Sequence, residues 1–121
     1  MSQRILVIED QEDNRRIVRD LLSSVGYELI EAVNGEDGVN TAAVHMPDLI
    51  LMDIQLPGMD GYEAARQIKA NPKLQHIPII AVTSYALSGD DVKAYEAGCN
   101  GYVAKPFSPR ALLAKIREYL P

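Results

Sequence analysis

Five short apolar runs, separated by segments with helical periodicity, constrain this chain more than any other feature. The runs are Ile5-Leu6-Val7-Ile8, Glu28-Leu29-Ile30-Glu31, Leu49-Ile50-Leu51-Met52, Ile79-Ile80-Ala81-Val82 and the weaker Gly101-Tyr102-Val103-Ala104. Most lack in/out alternation, which is the pattern of strands buried on both faces of a parallel sheet. The second run does alternate, with Glu28 and Glu31 polar, and fits an edge strand. Between the runs lie helical stripes: Ile17, Val18, Leu21, Leu22 and Val25; Val39, Ala42, Ala43 and Met46; Ala65 and Ile68; Val92 and Tyr95; and Leu112, Leu113, Ile116 and Leu120. Asp13, Asn34, Asp60, Ser88 and Ser108 are the expected helix starts, and Gly26 and Gly98 the expected stops.

Strict strand–helix alternation predicts an α/β fold with helices on both faces of the sheet. Right-handed crossovers and five strands of this length predict a flavodoxin-like, doubly wound (βα)5 sheet in the order 2-1-3-4-5. A chain of 121 residues, 47% apolar and 24% charged, suits one soluble domain with its own core. With a single cysteine, Cys99, there is no intramolecular disulfide and no thiolate zinc cluster. A net charge of −5 argues against nucleic-acid backbones as partners. The first apolar run is followed at once by two acids, so neither a signal peptide nor a spanning helix is expected, and the cytoplasm is the expected compartment. The fifth helical stripe runs to the end of the sequence, so residues 1–121 are expected to form one domain without an output domain.

Ligands of open α/β sheets bind outside the carboxyl ends of the strands, where the strand order reverses. In the expected order, the first, third, fourth and fifth strands are neighbours. They end in Glu9-Asp10, Asp53, Thr83-Ser84 and Lys105-Pro106. Two like charges ~4 Å apart repel by about 4 kcal/mol at an effective dielectric of 20, so three acids in one cleft require a raised pKa, a cation or both. Oxygen ligands with few protein donors favour Mg²⁺ over Ca²⁺. Lys105 would place positive charge on the other side of Asp53, and Thr83 can donate a hydrogen bond. A carboxylate so flanked is prepared to act as nucleophile toward a phosphoryl group and form an acyl phosphate.

These residues carry a resemblance. Ile5-Leu6-Val7-Ile8-Glu9-Asp10, the long segment from Pro47 through Asp53 to Pro57-Gly58-Met59-Asp60-Gly61, Ile77-Pro78 through Thr83, and Gly101 through Lys105-Pro106-Phe107 are similar to the receiver domain of bacterial two-component response regulators. The turn Ala97-Gly98-Cys99 and the absence of a further segment look similar to stand-alone receivers. The resemblance implies that Asp53 is the phosphoacceptor. It implies that Asp10 binds Mg²⁺ directly, Glu9 often through water, and Gln55 through its backbone carbonyl. It also implies that Lys105 binds the phosphoryl group, that the Lys105–Pro106 peptide is cis, and that Thr83 and Tyr102 form a conformational switch. The switched face would be the fourth helix, fifth strand and fifth helix, carrying Tyr95, Tyr102 and Lys115. The implied partners are a sensor histidine kinase or a histidine phosphotransfer protein upstream and a protein target downstream. The implied activity is phosphoryl acceptance and self-dephosphorylation, not turnover of exogenous substrates. Side chains of Gln55 and Tyr85 would flank the path of attacking water.

Two other readings compete. A phosphohydrolase of the haloacid-dehalogenase kind also uses a strand-end Asp, but needs an acid two residues later, where this chain has Gln55. An FMN carrier needs a phosphate-cradling loop after the first strand, where Glu9-Asp10-Gln11-Glu12-Asp13 would repel phosphate. Cys99 reads as a packing residue, and His45 and His76 lack partners for metal or catalysis. Arg15, Arg16 and Arg19 read as a solvated helix face, although the resemblance makes Arg15 a candidate contact for the phosphodonor.

Overall fold

Each of the five runs forms a strand in the computed structural model of the chain, which describes residues 3–83 and 90–120. The elements are β1 (Arg4–Ile8), α1 (Glu12–Ser24), β2 (Glu28–Ala32), α2 (Gly35–His45), β3 (Leu49–Asp53), α3 (Gly61–Ala70), β4 (Ile79–Thr83), α4 (Asp90–Glu96), β5 (Gly101–Ala104) and α5 (Pro109–Arg117). The sheet is parallel throughout, in the expected order β2-β1-β3-β4-β5. Ile8 pairs with Met52 in the β1–β3 ladder, and Asp53 with Val82 in the β3–β4 ladder, so these strands end level with one another.

Alternate residues of the strands build two cores. Leu6, Ile8, Ile50 and Met52 pack toward α2, α3 and α4, whereas Ile5, Val7, Leu49 and Leu51 pack toward α1 and α5 with Leu22, Leu112 and Ile116. Burial of each large side chain contributes about 1.5–3 kcal/mol. The strands at the centre, β3 and β4, are buried at every position, and β2 is the half-exposed edge that its alternation requires.

Most helix ends follow their local chemistry. Asn34, Asp60 and Ser108 each accept a hydrogen bond from the backbone N–H three residues on. Gly26 and Gly98 turn the chain with φ of +93° and +104°. The expected start at Asp13 is a correction: α1 begins at Glu12 behind Gln11, which offers no side-chain cap. There the Glu9 carboxylate accepts from the Gln11 N–H at 3.1 Å, so an acid on the preceding strand end satisfies the N–H just before the helix. Ser84, Tyr85 and Ser88 lie outside the described residues. Some positions of the apolar stripes are not covered: Ile17 is 61% exposed, and Val25, Met46, Val92 and Tyr95 are exposed too. No described helix is long and apolar enough to cross a membrane.

Candidate functional site

The level strand ends bring the expected residues together. Ligand oxygens of Glu9, Asp10 and Asp53 all lie within 4.8 Å of one another. Glu9 and Asp53 are buried, and Asp10 is partly open to solvent. Lys105 reaches in from the end of β5. Its Nζ donates to Asp53 Oδ2 at 3.2 Å and to Glu9 Oε1 at 3.0 Å. The pairing with Asp53 matches expectation, and the bridge to Glu9 is an addition that strand-end logic did not contain. Burial disfavours the Lys105 ammonium, but the hydrogen bond to Glu9 and the charges of Asp53 and Glu9 outweigh it, so its pKa moves upward from 10.5. The Lys105–Pro106 peptide is cis.

Backbone geometry fixes Asp53 from below. The Gln55 N–H donates to Asp53 Oδ1 at 2.9 Å. Gly61, at the start of α3, lies so close that a Cβ there would stand 2.6 Å from the Asp53 carbonyl oxygen. Only glycine permits that approach, which lets the loop after β3 fold back over the strand end. The Gln55 side-chain amide donates to the Thr83 hydroxyl, linking the loop after β3 to β4. Thr83 is fully buried. Tyr102 pairs with Ala81 across the β4–β5 ladder and packs on the core shared with α3 and α4, with its hydroxyl oxygen shielded from solvent. The ring therefore stands inward, against that core, in this structure.

The donor set fits Mg²⁺. It consists of hard oxygens, it is small, and Asp10 is open enough to leave room for water ligands. A cavity of about 570 Å³ opens beside Glu9, Asp53 and Lys105, walled by Ile17, Val18 and Phe107. Exposed Ile17, which the periodicity assigned to the core, is a wall of this cavity instead.

Other expectations divide. The Cys99 thiol is buried, and that burial pushes its pKa up to about 11, as befits an unreactive packing group. His45 and His76 are exposed and belong to none of the clusters of potential metal ligands found among the described residues. Arg15 is not on a solvated face, and this is a correction. Its side chain is 11% exposed, with Nη1 donating to the Glu9 carbonyl at 2.8 Å, Nη2 to Glu12, and Nε 3.3 Å from Glu31. Glu31 comes from β2, twelve residues beyond Arg19, so the partner that turns Arg15 inward is set by strand pairing and is absent from the helix itself.

Comparison with known proteins gives one direction. The pattern that defines the response regulator receiver domain matches residues 5–117. The chain is 42% identical over 120 residues to the polar-differentiation response regulator DivK of Brucella anthropi, covering 99% of this chain and 98% of that protein. The same regulator of Brucella ovis is 41% identical over the same span. Among solved structures, the receiver domain of the sensor histidine kinase PA1611 from Pseudomonas aeruginosa, with a magnesium ion coordinated in its active-site cleft, superposes with a TM-score of 0.93 at 38% identity, covering 99% of this chain and 98% of that one. The chemotaxis protein CheY4 of Vibrio cholerae shares the fold, with a TM-score of 0.93 at 24% identity over 98% of this chain and 99% of that one.

Proposed function

The chain belongs to the response regulator receiver domain family, and from that premise we propose that it accepts a phosphoryl group on Asp53 and relays the change to a protein-binding face. One observation carries this reading: Asp53 is a buried carboxylate held between two further acids and the Lys105 ammonium. An Asp53 oxygen attacks the phosphorus of a phosphohistidine. The O–P bond forms as the P–N bond breaks, and the leaving imidazole keeps the electron pair and takes a proton from solvent. The donor is a histidine kinase or a histidine phosphotransfer protein, and the cavity walled by Ile17 and Phe107 is its way to Asp53.

Asp10, Asp53 and the Gln55 carbonyl would hold Mg²⁺ directly. Glu9, whose oxygens also accept from Lys105 and from the Gln11 N–H, would hold it through water, as the family resemblance implies. When bound, the ion supplies positive charge against the oxygens of the transferring group. Lys105 supplies a second positive charge at the phosphoryl oxygens, and Gln55 N–H keeps the Asp53 carboxylate oriented. Thr83 releases Gln55 and turns its hydroxyl to the phosphoryl group. Tyr102, on the neighbouring strand β5 and packed on the core that α4 shares, changes its contacts with α4, and the face of α4, β5 and α5 is read by a downstream protein. On this reading the protein is a signalling switch that turns over only its own phosphoryl group.

Intact mass after incubation with Mg²⁺ and acetyl phosphate tests the proposal. Wild type is expected to gain one base-labile phosphoryl group, and Asp53→Asn none. Undiminished labelling of Asp53→Asn at the same donor concentration would sink the assignment, and steady release of phosphate from exogenous esters would favour a hydrolase.

A further inference from the structure

Arg15 ties three elements together with one side chain. Nη1 holds the Glu9 carbonyl at the end of β1, Nη2 holds Glu12 in the first turn of α1, and Nε faces Glu31 of β2. Arg19 grips the same Glu31 through two bonds, Nε to Oε2 at 2.8 Å and Nη2 to Oε1 at 2.7 Å. Glu31 is thus fixed, and it fixes Arg15. The Glu31 carboxylate is held below its usual range, chiefly by the hydrogen bond from Arg19.

The bonded carbonyl matters because it belongs to the peptide that joins Glu9 to Asp10. Regular pairing of β1 with β2 ends at Ile8 and Ala32. Beyond it, the Glu9 N–H still reaches the Ala32 carbonyl at 3.1 Å, and Arg15 holds the Glu9 carbonyl on the other side. Both backbone hydrogen-bonding groups of Glu9 are therefore occupied. The peptide plane that sets the direction of Asp10 cannot swing without breaking a charge-assisted bond to a guanidinium that is mostly out of water. We infer that Arg15 is a positioning residue for the metal-binding acids: it locks the Glu9–Asp10 junction so that both side chains face one divalent cation. This rests on the reading of Glu9 and Asp10 as metal ligands.

Charge alone gives the opposite expectation, which makes the inference testable. Arg15, Arg19, Glu12 and Glu31 form a group of zero net charge. Removing Arg15 makes it negative, and a nearby negative charge tightens cation binding. Loss of positioning weakens it, and groups that orient metal ligands typically cost about 10–100-fold in affinity when removed. Lysine keeps the charge but lacks the planar fork that serves three acceptors at once.

Calorimetric titration of Mg²⁺ into metal-free wild type, Arg15→Ala and Arg15→Lys, at one pH and ionic strength, reads the sign. Arg15→Ala is expected to bind Mg²⁺ about 10-fold more weakly, and Arg15→Lys to fall between it and wild type. Affinity in Arg15→Ala equal to or tighter than wild type overturns the inference. Should Arg15→Ala fail to fold, Arg15→Lys decides: a loss of roughly 3-fold or more supports the lock, and wild-type affinity overturns it. Wild type that binds Mg²⁺ while the variants match it removes only the role of Arg15. Wild type that does not bind Mg²⁺ removes this inference and the ligand assignment together.

Discussion

The two halves of the site are built in different ways. The acid half, on β1 and β3, is fixed through backbone: Glu9 by Ala32 and Arg15, Asp53 by the Gln55 N–H and the close approach of Gly61. The other half, on β4 and β5, reaches in with side chains. Lys105 extends to two carboxylates, Thr83 is touched by the Gln55 amide, and β5 is half-exposed beyond Gly101. A cation and a phosphoryl group need carboxylates that do not wander. A switch needs a part that can exchange partners without unfolding the sheet. The fold meets both needs by dividing them between neighbouring strands.

Substitutions on the two sides should then fail differently. The largest effect is expected at Lys105. Lys105→Met should slow labelling by acetyl phosphate about 100-fold, the usual scale for losing one oriented charge at a transferring group. Rates followed by intact mass check this, and a wild-type rate would show that the ammonium of the side-chain half is dispensable.

Next is a matched pair of glycines. A Cβ on Gly61 would meet the Asp53 carbonyl at 2.6 Å and Ile54 Cα at 2.7 Å, both backbone atoms, whereas on Gly101 its nearest neighbour is the Tyr119 hydroxyl at 2.9 Å. Gly61→Ala should cost about 2–3 kcal/mol of stability and Gly101→Ala about 1 kcal/mol or less, because a side-chain tip yields more readily than a strand. Urea denaturation measures both, and equal losses would break the contrast between the halves.

A smaller effect is expected from charge relief. Glu9, Asp10 and Asp53 share one described ammonium, Lys105, so the acid half carries excess negative charge without metal. Asp53→Asn should raise the melting temperature in chelator by about 4 °C, corresponding to ~1 kcal/mol. A lower melting temperature would mean that the Lys105 pair outweighs the repulsion.

The subtlest effect is in pH dependence. The Lys105 pKa is raised on folding, so its contribution is fully present below 10.5 and lost as pH rises through the folded value. The Glu31 pKa is lowered on folding, so its contribution is present above 4.5 and lost as pH falls through the folded value. Lys105→Met should flatten the alkaline limb of a stability–pH curve, and Glu31→Gln the acid limb while leaving the alkaline limb at its wild-type slope. A changed alkaline limb in Glu31→Gln would show that the two edges of the sheet are coupled.

Much of this was legible in the sequence because it is local. Apolar runs specify the strands, alternation marks β2 as the edge, and Asn34, Asp60 and Ser108 cap their own helices. Glu9, Asp10, Asp53, Thr83 and Lys105 could be gathered because strand ends in a parallel sheet fall level. What escaped depends on contacts between distant segments. Arg15 turns inward because Glu31 stands on the adjoining strand, and Lys105 bridges to Glu9 as well as Asp53. Ile17 keeps helical spacing with the core stripe yet remains open, because it walls the cavity beside the site while Leu22 packs into the core. The spacing of Glu12, Arg15 and Arg19 along one helical face was a usable signal for the network, once read against Glu31 in an alternating strand.

Amide NMR of wild type and Thr83→Ala, each with Mg²⁺ and with or without beryllofluoride as phosphoryl mimic, tests the division of labour most directly. Wild type should show Mg²⁺-dependent shifts confined to Glu9, Asp10, Asp53 and Gln55, and beryllofluoride should extend them to Tyr102, α4 and α5. Thr83→Ala should keep the first set and lose most of the second. Full wild-type shifts around Tyr102 and α4 in Thr83→Ala, or shifts that spread through β1 and β2 while β5 stays silent, would contradict it.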